Sequence, residues 1–147
     1  DVSPKGDPAG FVQVMDNKTL LIPDRPGNRR GDTLSNILQN PNIGLLFLVP
    51  GRSDTLRVNG TAQIVRDDDV RQRFIMQGKA PIFVIAVTVK EVFFHCTKCV
   101  LRSGLWTSEH QHDQLVSFGE AIIKHAKLDI SVEEADAMVA EEKNELY

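Results

Sequence analysis

Two cysteines, one tryptophan and one tyrosine are all that the 147 residues contain of those types, and aromatics make up only 6%. Cys96 and Cys99 are too few for a disulfide framework, so a secreted, disulfide-held scaffold is excluded and a reducing, cytoplasmic setting is expected. No apolar run approaches the roughly eighteen residues of a membrane-spanning helix. The longest, Ile43–Val49 and Ile82–Val87, have the length of strands. No excess of charge of one sign is present either. The net charge is -3, without an acidic or basic half, and the basic face of a general nucleic-acid binder is missing. The first residue is Asp1 rather than Met, and no charged leader with an apolar core follows it. The expectation is a chain that starts inside a longer sequence, with a first strand absent.

What is there suits one globular domain: 41% hydrophobic and 25% charged residues, enough to build a core. Phe11–Met15 alternates like a strand, Asp16-Asn17-Lys18 reads as a turn, and Thr19–Ile22 returns, so residues 9–23 form a hairpin. Pro23 and Pro26 are expected to end it, because proline cannot serve a paired central strand. A short helix follows, capped by Asp32 or Thr33, with Leu34, Ile37 and Leu38 on its buried face. Asn40-Pro41-Asn42 stops it. Residues 43–49 and 55–65 read as strands, the second broken at Gly60 by a bulge. Asp67–Asp69 is expected to cap a helix running to about Gly78, with Val70, Phe74 and Ile75 as its stripe. Ile82–Val89 and Glu91–His95 form a strand pair or one long bent strand. Beyond Trp106, Leu115, Phe118, Ile122 and Ile123 mark an amphipathic helix. Ser131-Val-Glu-Glu134 is a capping box that opens a last, acidic one. Strands and helices do not alternate regularly, which argues against a doubly wound parallel sheet. The fold class expected is mainly β (α+β): an antiparallel barrel with short flanking helices and a helical C-terminal segment.

Arg25, Arg29 and Arg30 fall within six residues, beside Gly27 and Asn28 and just before a helix start. Guanidinium forks and free helix-terminal amides are what a phosphate needs. The same residues also suit a solvated loop whose arginines pair with nearby acids, and spacing alone leaves both readings open.

The order of segments is more informative than any one of them. Asn28-Arg29-Arg30, then Ile37-Leu-Gln-Asn-Pro41, then Ile43-Gly-Leu-Leu-Phe47 resembles the core of the pyridoxamine 5'-phosphate oxidase-like, FMN-binding split-barrel family. Thr55–Ala62 is similar to that family's next strand and its glycine. Phe94-His-Cys-Thr-Lys98 with Arg102-Ser-Gly-Leu-Trp106 is similar to a subgroup distinct from the true oxidase. The resemblance spans roughly residues 1–106.

It implies an antiparallel split β-barrel over about 1–106, with a helical extension over about 113–147, in one FMN-binding domain. It further implies a homodimer with FMN at the subunit interface. Asn28, Arg29 and Arg30 would hold the phosphate. Ser3, Pro4 and Lys5 would run beside the flavin ring, and Ile22, Pro23 and Asp24 beside the ribityl chain. Thr55 and Arg57 match positions that the second subunit presents to the cofactor, and Arg102 and Trp106 would cover the ring. The chain departs from the oxidases in its short N-terminal segment and in ending with acidic helices instead of a basic strand. The expectation is therefore an oxidoreductase for another small molecule, with no nucleic-acid or membrane partner. The alternative is a non-catalytic module that holds haem, a deazaflavin or FMN, with His95 or His125 as a haem ligand.

No metal site is expected. Cys96-Thr-Lys-Cys99 lacks the second ligand pair of a zinc site, and His95 stands on the wrong side for haem attachment. The two thiols read as ordinary ones near a strand end. His110-Gln-His112 has no third ligand nearby and reads as loop.

Overall fold

The computed structural model describes residues 1–27, 31–107 and 116–142. Asn28, Arg29, Arg30, His110, His112 and Leu115 lie outside them. The described residues fall into two compact units, Asp1–Trp106 and Thr107–Tyr147.

The first unit is a five-stranded antiparallel sheet with short helices, an α+β arrangement with the split-barrel fold. Its elements are β1 (Gln13–Val14), β2 (Thr19–Asp24), α1 (Asp32–Gln39), β3 (Asn42–Phe47), β4 (Thr55–Val65), α2 (Asp68–Gln72), β5 (Phe83–His95) and α3 (Lys98–Ser103). The strand order is β1-β2-β5-β4-β3. Helix α1 therefore carries the chain from β2 across to the far edge, where β3 pairs back onto β4.

The β1–β2 turn is set by Asp16, whose carboxylate accepts from the Lys18 amide at 2.8 Å. That bond holds the Asp16 carboxyl below its usual range. Pro23 does not end β2 as expected. It pairs with Val84 of β5. β1 reaches β2 only at Leu20 and Leu21, so β2 is an edge strand at Pro23, and a missing N–H costs no ladder bond there.

Helix α1 covers one face of the sheet, and the Phe74 cluster packs on the other. Ile22, Ala62, Ile85 and Val87 meet Ile37 of α1, with Leu34, Ile43 and Leu45 around them. Leu38, expected on the same helix face, is 77% exposed. In eight residues α1 turns only Leu34 and Ile37 onto the sheet. Neither Asp32 nor Thr33 caps it: the N-cap is Gly31, in the left-handed region at φ 66°, with no side-chain cap. The Thr33 hydroxyl donates instead to Asp1 at 2.6 Å.

Asp67 caps α2 as expected, accepting from the Val70 amide at 3.2 Å. The helix ends at Gln72 rather than near Gly78: the amides of Arg73, Phe74 and Ile75 bond three residues back instead of four, and the chain then makes a tight Met76–Lys79 turn with Gln77 and Gly78 at positive φ. Phe74 then packs on Leu21 and Val84, while Ile75 faces solvent. Residues 83–95 form one long strand, not a pair. Its register against β4 slips between Asn59 and Gly60, the bulge foreseen at the glycine. A Cβ on Gly60 would lie 2.2 Å from the Thr88 carbonyl oxygen, so only glycine lets the two central strands close here.

The second unit is a helical hairpin of α4 (Phe118–Ala126) and α5 (Val132–Glu142). Ser117 caps α4. The Ser131 hydroxyl accepts from the Glu134 amide, and the Glu134 carboxylate accepts from the Ser131 amide, completing the capping box. Gly119 packs directly on α5, its amide donating to the Asp136 carboxylate at 2.9 Å.

Candidate functional site

Two hollows among the described residues of the first unit flank β3. The smaller, about 450 Å³, is bounded by the N-terminal segment, β2, α1 and β3. Ser3, Lys5 and Ile22 line it, together with Asn36, Gln39 and Asn40 of α1 and its C-cap. Lys5 is held by Asp24 at the end of β2, Nζ to Oδ1 at 2.6 Å, with both side chains largely covered. The N-terminal segment is fastened at three points in this way. Thr33 holds Asp1, Asp24 holds Lys5, and Arg25 donates from Nε to Asp7 at 2.7 Å. The last pair is buried, the Asp7 side chain being 2% exposed. Arg25 therefore follows the acid-pairing reading of the arginine loop. Arg29 and Arg30 lie outside the described residues.

The larger hollow, about 850 Å³, opens on the opposite face of β3 and β4 and is roofed by α3. Thr55 and Arg57 line it from β4, followed by His95 at the end of β5, Cys96 after it, and Cys99 and Val100 of α3. The wall is mostly apolar, so its polar groups stand out. Arg57 donates to Asn59 at 3.3 Å, and Asn59 donates to Glu91 at 2.6 Å. The Arg57 guanidinium lies 5.3 Å from the centre of the Phe93 ring, in cation–π range. Phe93 in turn stands 5.2 Å from the His95 ring. These contacts fix the direction of one cation at the rim of an apolar chamber. Both hollows have the size of small-molecule sites. Among the described residues no group of three or more His, Cys, Asp or Glu side chains could hold a metal ion.

The residues picked from sequence are thus divided. Ser3, Lys5 and Ile22, with Asp24 beside them, meet at the smaller cleft. Thr55 and Arg57 meet at the larger cavity. Pro4 and Pro23 are neighbours in sequence to the cleft residues without lining it. Arg102 donates back to the Lys98 carbonyl of its own helix at 3.2 Å. The Trp106 indole N–H donates to the Arg52 carbonyl at 2.6 Å, clasping the end of the α3 segment to the β3–β4 turn. Neither residue lines a hollow. Sequence reasoning missed Asn36, Gln39 and Asn40, whose i, i+3, i+4 spacing on one helix face was the available signal. It also set aside Cys96 and Cys99, which share one cavity wall with His95.

With the geometry in view, comparison with known proteins is decisive for kinship. The family model described as pyridoxamine 5'-phosphate oxidase matches residues 1–96. The chain belongs to the pyridoxamine 5'-phosphate oxidase family. No curated protein matches it in sequence. Among solved structures it is similar to HupZ of Group A Streptococcus, at 22% identity over 57% of this chain and 68% of that one, with a TM-score of 0.48. It is also similar to a candidate pyridoxamine 5'-phosphate oxidase of Lactobacillus delbrueckii, at 25% identity over 57% and 68%, with a TM-score of 0.44. A third is General Stress Protein 26 of Bacillus anthracis, at 20% identity over 52% and 64%, with a TM-score of 0.41. No helix among the described residues is long and apolar enough to cross a membrane.

Proposed function

We propose that this member of the pyridoxamine 5'-phosphate oxidase family is an FMN-binding oxidoreductase that acts as a cytoplasmic homodimer on a small molecule other than a pyridoxal phosphate. The observation that carries the reading is the smaller cleft. Ser3, Lys5 and Ile22, which the family resemblance sets beside a flavin, line one hollow beside the Lys5–Asp24 pair. Asp24 also stands only four residues before Asn28-Arg29-Arg30. The helix that follows those arginines has a glycine N-cap and no side-chain cap, so its first amides are placed to serve an anion. In this reading Asn28, Arg29 and Arg30 take the phosphate, and Lys5 presents a fixed cation to the ring's polar edge. FMN, when bound, supplies a ring that accepts and returns two electrons. The chain's part is to bind and orient it.

The dimer is supported by β5. This strand is buried from Val84 to Ile85 and at Val87, yet exposed from Lys90 to His95, although that half carries Val92, Phe93 and Phe94. Phe94 is 70% exposed and Val92 56% among the described residues, and they pair with Leu56 and Val58 on the side of β4 that carries Ala62. A second copy covering this end would bury that apolar strip. In sequence the barrel is followed by the acidic hairpin α4–α5 rather than by the basic strand that the family resemblance implies for the true oxidases, which argues against their substrate.

The test is a visible absorption spectrum before and after adding FMN, with light scattering for mass. The expected result is a flavin spectrum that weakens in Arg29→Ala/Arg30→Ala, on a particle of two chains. In Lys5→Met the midpoint potential of the flavin should fall, since a cation near the ring favours the reduced anion. A colourless single chain indifferent to FMN would overturn the reading. His95 in the wall of an apolar cavity favours a second one, a haem-holding module, which a strong Soret band would select.

A further inference from the structure

We propose that Cys96 and Cys99 form a reversible dithiol–disulfide couple in the wall of the larger cavity, exchanging with low-molecular-weight disulfides that carry carboxylates. The proposal stands independently of the flavin reading.

The geometry begins at the end of β5. His95 is the last strand residue, and Thr97, at φ -72° and ψ -13°, already has helical backbone as the N-cap of α3. Cys96 lies between the strand and that N-cap, outside the helix, and Cys99 is the second residue of α3, so only two residues separate the thiols across the strand-to-helix turn. A disulfide needs Cβ atoms about 3.5–4.5 Å apart. Any adjustment falls on the non-helical Cys96 and on the first turn of a helix only six residues long. The Cys99 sulfur is turned toward its partner residue, 3.9 Å from the Cys96 carbonyl oxygen. The far end of the segment is held, with Val100 buried, Gly104 closing the helix in the left-handed region and Trp106 tied to Arg52. The first turn can give while the roof stays in place.

Accessibility points the same way. Cysteines kept for packing are buried and inert. Both of these are exposed and free, and both line the same cavity. Arg57, fixed by Asn59 and Phe93, faces that cavity as a counter-charge for a carboxylate.

The chemistry balances without an outside reductant. One protein thiol, as thiolate, attacks a sulfur of the small disulfide. The S–S bond breaks, and one small thiol leaves with the proton released. The second protein thiol attacks the protein sulfur of the mixed disulfide, forming Cys96–Cys99 and expelling the second small thiol with its proton. Two protein thiols are oxidised and one small disulfide is reduced to two thiols.

The experiment places the full chain in mixtures of oxidised and reduced glutathione, quenches by alkylation, and weighs the products. The wild type is expected to lose two hydrogens, to carry no glutathione at equilibrium, and to return to the dithiol under excess reduced glutathione. Cys96→Ser and Cys99→Ser should each hold a stable glutathione adduct on the remaining sulfur. Arg57→Gln should slow the wild-type reaction several-fold with glutathione disulfide but not with uncharged hydroxyethyl disulfide. Two independent adducts on the wild type, or thiols that stay free throughout the series, overturn the couple. Equal slowing by Arg57→Gln with both disulfides overturns the role of Arg57.

Discussion

Replacing Gly60 by alanine tests whether the bulge is what lets β4 and β5 close. The added Cβ would lie 2.2 Å from the Thr88 carbonyl oxygen, 3.1 Å from its carbon and 3.3 Å from a Val87 methyl. The first two are backbone atoms, which cannot swing aside as a side chain can. Relief requires the strands to part by about 1 Å, a fifth of the ~4.8 Å between neighbours. This happens in the middle of the longest pairing in the sheet, from Thr55↔His95 to Val65↔Val84. Over-packing typically costs 1–3 kcal/mol, and a backbone clash belongs at or above the top of that range, about 3 kcal/mol. For a unit of about 100 residues this lowers Tm by roughly 10 °C or more. Differential scanning calorimetry of Gly60→Ala beside Gly44→Ala is the assay. Gly44 is the control, since its Cβ would meet only the Asn59 side chain at 3.5 Å, an ordinary contact. Gly44→Ala is expected to be neutral or slightly stabilising. A Gly60→Ala protein melting within a degree or two of the wild type would refute the reasoning.

Three further outcomes are expected. Arg25→Met leaves the buried Asp7 carboxylate without the guanidinium it accepts from and should cost about 3 kcal/mol in urea unfolding, where an exposed pair would cost under about 1. Gly119→Ala puts a Cβ 2.3 Å from the Asp136 carboxylate and 2.8 Å from its amide nitrogen, so amide exchange in α4 and α5 should accelerate while that of the sheet is unchanged. The Asp54 carboxyl is held below the usual carboxylate range first by its hydrogen bond from Arg52, so carbon-detected NMR titration should show its midpoint rise in Arg52→Gln. A depressed folded-state value stabilises above the ordinary carboxylate range and is lost as pH falls through the folded midpoint. Any stability gap between wild type and Arg52→Gln must therefore shrink in acid.

The elements that could be read from sequence are those whose causes are local. Gly60 announces a bulge because no other residue tolerates the approach, and Ser131 with Glu134 announces a helix start because the two bonds lie within one turn. Asp67 before α2 belongs with them. Elements decided by distant neighbours were not legible. Pro23 is accommodated in β2 only because β1 is too short to reach it. Leu38 is exposed because α1 meets the sheet along a narrower stripe than its sequence suggests. The turn after α2 depends on a positive φ at Gln77, which side-chain chemistry does not advertise. The hollows follow the same division. Ser3, Lys5 and Ile22 were found through a resemblance rather than through spacing, since seventeen positions separate Lys5 from Ile22. The cavity that joins Thr55 and Arg57 to Cys96 and Cys99 closes over forty residues of chain, beyond the range of any periodicity.

The clasp between Trp106 and Arg52 has a practical consequence. The chain has one tryptophan, so its emission comes from one place, and its indole N–H is bonded to a turn at the mouth of the larger cavity. Its neighbour Leu105 lines that cavity, whereas the smaller cleft lies across β3. Intrinsic fluorescence is thus a built-in, label-free optical reporter. A ligand that enters by Leu105 changes the colour or yield of the emission directly, while a dark, non-absorbing ligand seated against Lys5 leaves it as it was.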